Sequence, residues 1–378
     1  MAADDDAIFE TIVFLDYFSN LPDPRQLIKV IYPLDEVLLL SLLAVLAGAE
    51  TFTDIARFGE NKLDLLRRFR PFLHDTPTHD RLGEIFAALD AERFQQCFVA
   101  WVAAHTSISA EVIAIDGKTS RRSYQKKGAD APIHIVSAFA ARQRLVLGQV
   151  KVAEKANEIV AIPKLLDMLV VEGAIITIDA MGCQREIANK LIAKKADYVL
   201  ALKGNQGTLR DDVELFANEQ KSTNFKDTTV TNDTAVEGDH GRIETRCTTV
   251  MHDIDWLQKQ HNWPGLKAVV MIESKRETGP KIETETRFYI TSLTDPAGKL
   301  AAIIRQHWAI ENSLHWVMDM VFRDDECRIS AGHAPANFTT IKHVAQNLMR
   351  RSPAKDSMRL KRKVAAWNDD FLASLISQ

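Results

Sequence analysis

Apolar residues along this chain recur first with a helical rhythm and then with a strand rhythm, and the change falls near residue 110. The strongest apolar run covers residues 37–49, behind Asp35 and Glu36. It is too short to cross a bilayer and predicts a buried helix over 38–46. Residues 53–69 predict a second helix, with Ile55, Phe58, Leu63 and Leu66 on its apolar side and Lys62, Arg67, Arg68 and Arg70 near its end. A third begins at Thr76-Pro77-Thr78, where Thr78 can cap and Leu82, Ile85, Phe86 and Leu89 form the buried stripe. Such a trio could form a helix-turn-helix offering His79, Asp80, Arg81 and Glu84 to a groove, although the pattern favours plain helical packing.

From Glu111 the texture is that of strands. Residues 112–115 run into Asp116-Gly117, and 133–140 and 145–152 form two more β-rich runs. A helix with Pro163 in its first turn buries Leu165, Leu166 and Leu169. A strand over 174–178 closes on Asp179, a helix follows over 184–195, and a short strand covers 198–202. The order β-β-β-α-β-α-β is that of an RNase H-like core. Residues 205–293 break the rhythm with three β-prone runs, around 244–251, 266–272 and 284–290, and helical pattern resumes from Pro296 through Val321. The expected class is α/β: an all-helical N-terminal domain (1–105, a candidate for binding DNA ends), an RNase H-like core in two parts (106–205 and 296–350), a β-rich insertion (206–295) and a basic C-terminal tail (351–378). No internal repeat or low-complexity linker separates them.

With 378 residues, 46% hydrophobic and 26% charged, the chain is long enough for more than one structural unit and too apolar for disorder. Cys97, Cys183, Cys247 and Cys327 have neither zinc-ribbon nor disulfide spacing and read as reduced thiols. The acidic start, residues 1–6, lacks a secretory pattern and points to the cytoplasm. The net charge of −4 hides two basic stretches. Lys342, Arg350, Arg351, Lys355, Arg359, Lys361, Arg362 and Lys363 face only Asp356, while Lys118, Arg121, Arg122, Lys126 and Lys127 face no acid. Local potential of this kind attracts phosphate whatever the total charge. A solvated surface explains either stretch equally well.

Asp116 and Asp179 each follow an apolar β-run, so adjacent parallel strands would set them side by side at the sheet's carboxyl rim. Clustered carboxylates repel and are relieved by a shared hard cation such as Mg²⁺ or Mn²⁺, although a lone strand-ending Asp is commonly a turn residue. A third acid, Glu311, lies at the edge of the stripe Ile303, Ile310, Leu314, Val317 and Val321; pairing with Arg305 is its plainer role. Lys118, Arg121 and Arg122 beyond Asp116, and Lys203 and Asn205 beyond the last core strand, are candidate phosphate contacts or simply solvated loop residues. His240, Arg242, Glu244 and Arg246 alternate, which suits a strand face following a DNA backbone or a surface ion-pair ladder. Trp308 and Trp316 could stack on an unpaired base, but core packing is the reading the pattern favours.

The strings IAIDGKTSRRS, LVLGQVKVAEKANEIVAIP, ITIDAMGCQ, YVLALKGNQGTL, HGRIETR and HWAIENSLHWVMDM strongly resemble the insertion-sequence DDE transposases of the branch containing the H-repeat-associated proteins. LPDPR and YPLDEVLLLSLLAVLAGAE resemble the helical domain accompanying that catalytic domain, so the likeness runs from about Phe14 to Trp367. It implies that Asp116, Asp179 and Glu311 are the acidic triad, holding two Mg²⁺ or Mn²⁺ ions. It also implies cleavage of double-stranded DNA at element ends and strand transfer into target DNA, by a homodimer without organic cofactor or membrane. Related enzymes often place Tyr, Arg and Lys around the glutamate, where this chain has Ile304, His307 and Met318. His307, Asn312 and His315 are then the candidates for the phosphate contacts those residues would make. Two alternatives remain: a decayed or repurposed DNA-binding relative, and an RNase H-like nuclease that does not join strands.

Overall fold

A computed structural model describes residues 12–106, 111–123, 132–152, 157–239 and 241–377. The N-terminal third is helical: α1 (Val13–Phe18), α2 (Leu34–Leu46), α3 (Phe52–Asn61), α4 (Leu63–Leu66), α5 (His79–Ala88) and α6 (Ala91–His105). Helix α2 is apolar on every side, and its residues 37–46 are all buried, as an all-round hydrophobic helix must be. Residues 53–69 form two helices where one was expected, because Lys62 leaves helical geometry (φ −124°, ψ 25°) between α3 and α4. Thr78 caps α5 through its hydroxyl, which accepts from the Arg81 N–H, and His79, Asp80, Arg81 and Glu84 stand exposed on it.

The next elements are β1 (Val112–Thr119), β2 (His134–Ala140), β3 (Leu145–Lys151), α7 (Glu158–Met168), β4 (Ile175–Ile178), α8 (Arg185–Ala193), β5 (Asp197–Leu202) and α9 (Gly207–Ser222). Helix α7 begins at Glu158, so Pro163 lies inside it rather than in its first turn. Glu158 opens the helix, and its buried carboxylate is tied to His134 (2.7 Å). Then come β6 (Val230–Asp239), β7 (Arg242–Met251), α10 (Asp255–His261), β8 (Ala268–Thr278), β9 (Lys281–Thr291), α11 (Ala297–His307), a π-helical turn (Glu311–His315), α12 (Trp316–Met320), α13 (Ala334–Arg351), α14 (Met358–Trp367) and α15 (Asp369–Ile376).

One nine-stranded sheet carries all the strands among the described residues, in the order β3-β2-β1-β4-β5-β9-β8-β7-β6. β1, β4 and β5 are parallel and the other pairs antiparallel. Strands β3-β2-β1-β4-β5 with α7 and α8 make the RNase H-like layout. The strand-rich segment extends that sheet through β5 and β9, in the register Val199↔Thr291 to Leu202↔Phe288. It includes β6, a mostly polar strand at the sheet edge that periodicity did not reveal.

The sheet has a core on each face. One is the large apolar cluster that includes α2, α6, α7, α8 and α13. The other gathers Val112, Val199, Val250, Val270 and Ile272 against Ala297, Leu300, Ile303 and Ile304 of α11. Helix α11 therefore touches β1 and β4 as well as β6 and β7. Its N-terminus is pinned to β6, where the Thr231 hydroxyl accepts from the Ala297 N–H at 2.9 Å.

The expected basic tail is instead a pair of packed helices, α14 and α15, and the basic stretch is partly consumed inside the fold. Lys342 is 1% exposed and pairs with Asp324 at 2.8 Å. Lys361 donates to the carbonyls of Met349 (2.7 Å) and Ser352 (3.1 Å). Arg362 donates to the carbonyls of Val45, Ala49 and Val321. These cations satisfy helix-end carbonyls and a buried acid, while Lys355, Arg359 and Lys363 stay exposed.

Candidate active site

β1 and β4 pair up to Ile115↔Ile178 and no further, so Asp116 and Asp179 occupy equivalent places just beyond the paired segment. β1 itself continues to Thr119 against β2, longer than the sequence suggested. Its other edge opens at Asp116 onto a cavity of about 460 Å³ that Asp179, Lys203, His307, Trp308 and Glu311 also line. The three acids meet at one rim, as the topology requires.

Local sequence holds each acid in place. Gly117 lies so close to Glu158 and His134 that a Cβ there would collide with both. Asp179 Oδ1 accepts from the N–H groups of Met181 (3.0 Å) and Gly182 (3.3 Å), a carboxylate-closed turn. Asn205 donates to the Ala180 carbonyl at 2.6 Å, tying the loop after β5 to that turn. Glu311 starts the π turn, where the Trp316 N–H donates to the Glu311 carbonyl five residues back. Ile303, Ile310, Leu314, Val317 and Val321 are all buried, as expected.

Burial, and then the negative charge of Glu311 beside it, pushes the Asp116 carboxyl up to about 8. Glu311 goes the other way, to about 2, first through its hydrogen bond with His315. The two carboxylates thus hold a proton between them, on Asp116. His315 Nδ1 stands 3.3 Å from Glu311 Oε2 and 3.6 Å from Asp116 Oδ2, and donor atoms of these three residues lie within 4.8 Å of one another. A crowded, partly protonated carboxylate pair is what a divalent cation relieves, so the donor chemistry fits a metal.

Several supports were not legible beforehand. Thr177, a lone polar residue in the apolar β4, meets His307 Nδ1 through its hydroxyl at 3.0 Å; burial holds His307 below its ordinary range. Lys118 is an ion-pair residue more than an open phosphate clamp. Its ammonium is 2.6 Å from Asp319 and 3.6 Å from Asp325. Arg121, 81% exposed, is 3.5 Å from Asp325, and Arg122 is exposed. The Ser120 hydroxyl donates to the Asp324 carbonyl at 3.0 Å, so the end of β1 is fastened to the segment that follows α12. Lys126 and Lys127 lie outside the described residues, as does His240.

Arg242 and Arg246 form the ion-pair ladder. Glu244, buried between them, is 3.1 Å from Arg242 and 2.8 Å from Arg246, and Glu237 binds both Arg246 (3.0 Å) and Arg305 (2.6 Å). The ladder lines a second cleft of about 930 Å³, which shares Arg287, Tyr289 and Trp308 with the first and includes Arg276 and Asn312. Trp308 and Trp316 are 48% and 57% exposed, against the expectation of core packing. The stripe through Ile310, Leu314 and Val317 turns positions 308 and 316 outward. Arg287 lies over the Trp308 ring at 5.8 Å.

An RNase H-like sheet with acids just past the paired segment of two adjacent parallel strands, and a third on the helical segment packed against them, defines the class of this protein. The chain matches the transposase DDE domain over residues 108–348 and the DDE_Tnp_1-associated domain over residues 15–102. It belongs to the DDE-domain transposase family. It is 39% identical over 371 residues to "H repeat-associated putative transposase YhhI" of Escherichia coli (strain K12), covering 96% of this chain and 97% of the relative. "Putative protein YbfL" of the same strain gives the same identity and coverage. "Putative transposase YncI" of Escherichia coli O157:H7 is 38% identical over 369 residues, 96% of this chain and 94% of the relative.

Proposed function

We propose that this chain cuts DNA at the ends of an insertion sequence and joins the freed 3′ ends to target DNA, using Mg²⁺ or Mn²⁺ at Asp116, Asp179 and Glu311. The observation that carries the reading is the meeting of these three acids at one cavity, on residues far apart in the chain. Two ions bound there would activate the attacking water or 3′-hydroxyl and stabilise the leaving oxygen.

The side chains around the acids divide the remaining work. Asp116 would hold the metal as its carboxylate, and Glu311, on the more open side, would share it. His307, kept neutral by burial and held by Thr177, borders the reacting phosphate. Lys203, exposed at the cavity wall, meets the phosphate directly, whereas Asn205 acts by holding the Asp179 turn. Arg242, Arg246, Arg276 and Arg305, with Asn312, line the path for flanking duplex, exchanging glutamate partners for phosphates. Arg121 and Arg122 reach DNA from the far side of β1. Two element ends must be held together for transposition, so the acting species is a homodimer on DNA, working on the bacterial chromosome in the cytoplasm. No described helix is long and apolar enough to cross a membrane.

The test is incubation of the purified protein with labelled element ends and Mg²⁺. Nicks at the ends followed by joined products are expected, and Asp116→Asn removes both while DNA binding persists. Binding without nicks identifies a DNA-binding relative, and nicks without joined products identify a nuclease.

A further inference from the structure

The geometry points to His315 as a nitrogen ligand of the cation that Asp116 and Glu311 hold, in place of the phosphate contact its position in the sequence suggested. This rests on the metal-dependent reading above and adds to it the make-up of one ion's coordination.

Glu311 and His315 are the two ends of the π turn. Such turns depart from α-helical bonding and are kept at few places, often functional ones. This one aims both side chains at the same strand end. Glu311 has a side chain 49% exposed, while that of His315 is only 7% exposed. A phosphate arriving through the cavity meets Glu311 and not the imidazole. The ring faces inward, with Nδ1 3.3 Å from Glu311 Oε2 and 3.6 Å from Asp116 Oδ2. Neighbouring ligands of a small octahedral ion stand about 3 Å apart, so these three donors need only small shifts to share one.

The other ring nitrogen fixes which one faces the carboxylates. His315 Nε2 is buried with no hydrogen-bond partner among the described residues. With Nε2 enclosed by protein, Nδ1 is the ring atom turned toward Glu311 and Asp116, and the one a cation between them would meet. One imidazole among carboxylates tilts the site from Mg²⁺ toward transition ions such as Mn²⁺.

Pulsed EPR of the full-length protein with Mn²⁺ alone tests this without any DNA substrate. The wild-type spectrum should carry nitrogen-14 modulation from a directly bound imidazole. His315→Gln should lose that modulation and bind Mn²⁺ roughly tenfold more weakly, while His307→Gln should keep it. Mn²⁺ bound by the wild type without nitrogen modulation, or modulation that survives His315→Gln, overturns the ligand assignment and leaves the carboxylate site standing. Failure of the wild type to bind Mn²⁺ overturns both. A wild-type spectrum that lacks the modulation overturns the assignment even if a variant does not fold.

Discussion

Gly117 and Lys342 show how much of the site depends on side chains that touch no substrate. Gly117 lets Glu158 and His134 approach the strand that carries Asp116. Gly117→Ala should cost about 1–3 kcal/mol through overpacking, read by urea denaturation, and should lower nicking further than the stability loss alone explains. Lys342 and Asp324 form an ion pair with side chains 1% and 6% exposed. Lys342→Met leaves Asp324 charged and alone, at about 3–5 kcal/mol, and Lys342→Met with Asp324→Leu should recover most of the loss. Burial alone would raise the Asp324 carboxyl, but the Lys342 ammonium overrides it and holds the group below its ordinary range. A carboxyl depressed by folding stabilises above its ordinary range, and that contribution disappears as pH falls through the folded value. Acid denaturation of the wild type should therefore show a loss of stability below the usual carboxylate range that is reduced in the double variant.

Among the elements, those with strong internal pattern were legible and those defined by their neighbours were not. β1, β4 and β5 announce themselves as apolar runs, and two of those runs lead into Asp116 and Asp179. β6 does not, because an edge strand carries polar residues on most positions and takes its shape from β7. Helix α13 was equally opaque. Asn337, Gln346 and Asn347 look like solvent residues in sequence, yet all are buried. Asn337 donates to the carbonyls of Phe86 and Leu89, Gln346 to that of Ser313, and Asn347 both donates to and accepts from the backbone of Val146. Their partners are remote in sequence, so no local rule reveals them. The same holds for Arg362, which binds carbonyls of α2, of Ala49 just beyond it, and of Val321 just after α12. Arg362→Met should lower stability by roughly 2–4 kcal/mol, since several buried carbonyls lose a donor, with earlier proteolysis around residues 319–327 as the readout.

At the scale of the molecule, the arginine-lined cleft and the acidic cavity share Arg287, Tyr289 and Trp308 in their walls, which makes salt the natural probe of the proposed DNA path. If the path is right, replacing Arg276 or Arg305 by Ala should weaken binding to all sequences alike and reduce the slope of log affinity against log salt by about 1 each. A slope unchanged in both would place the duplex elsewhere.

Helix α11 lies in the trough of a sheet whose far strands come from the β-rich segment, and it is fastened to β6 at its start and again through Arg305. That segment is consequently half of the socket for Glu311. A version pared down to the five central strands would keep both aspartates but lose half of what the Glu311-bearing segment leans on, so trimming this chain, or exchanging its outer strands for those of a cousin, would be felt first where the three acids meet.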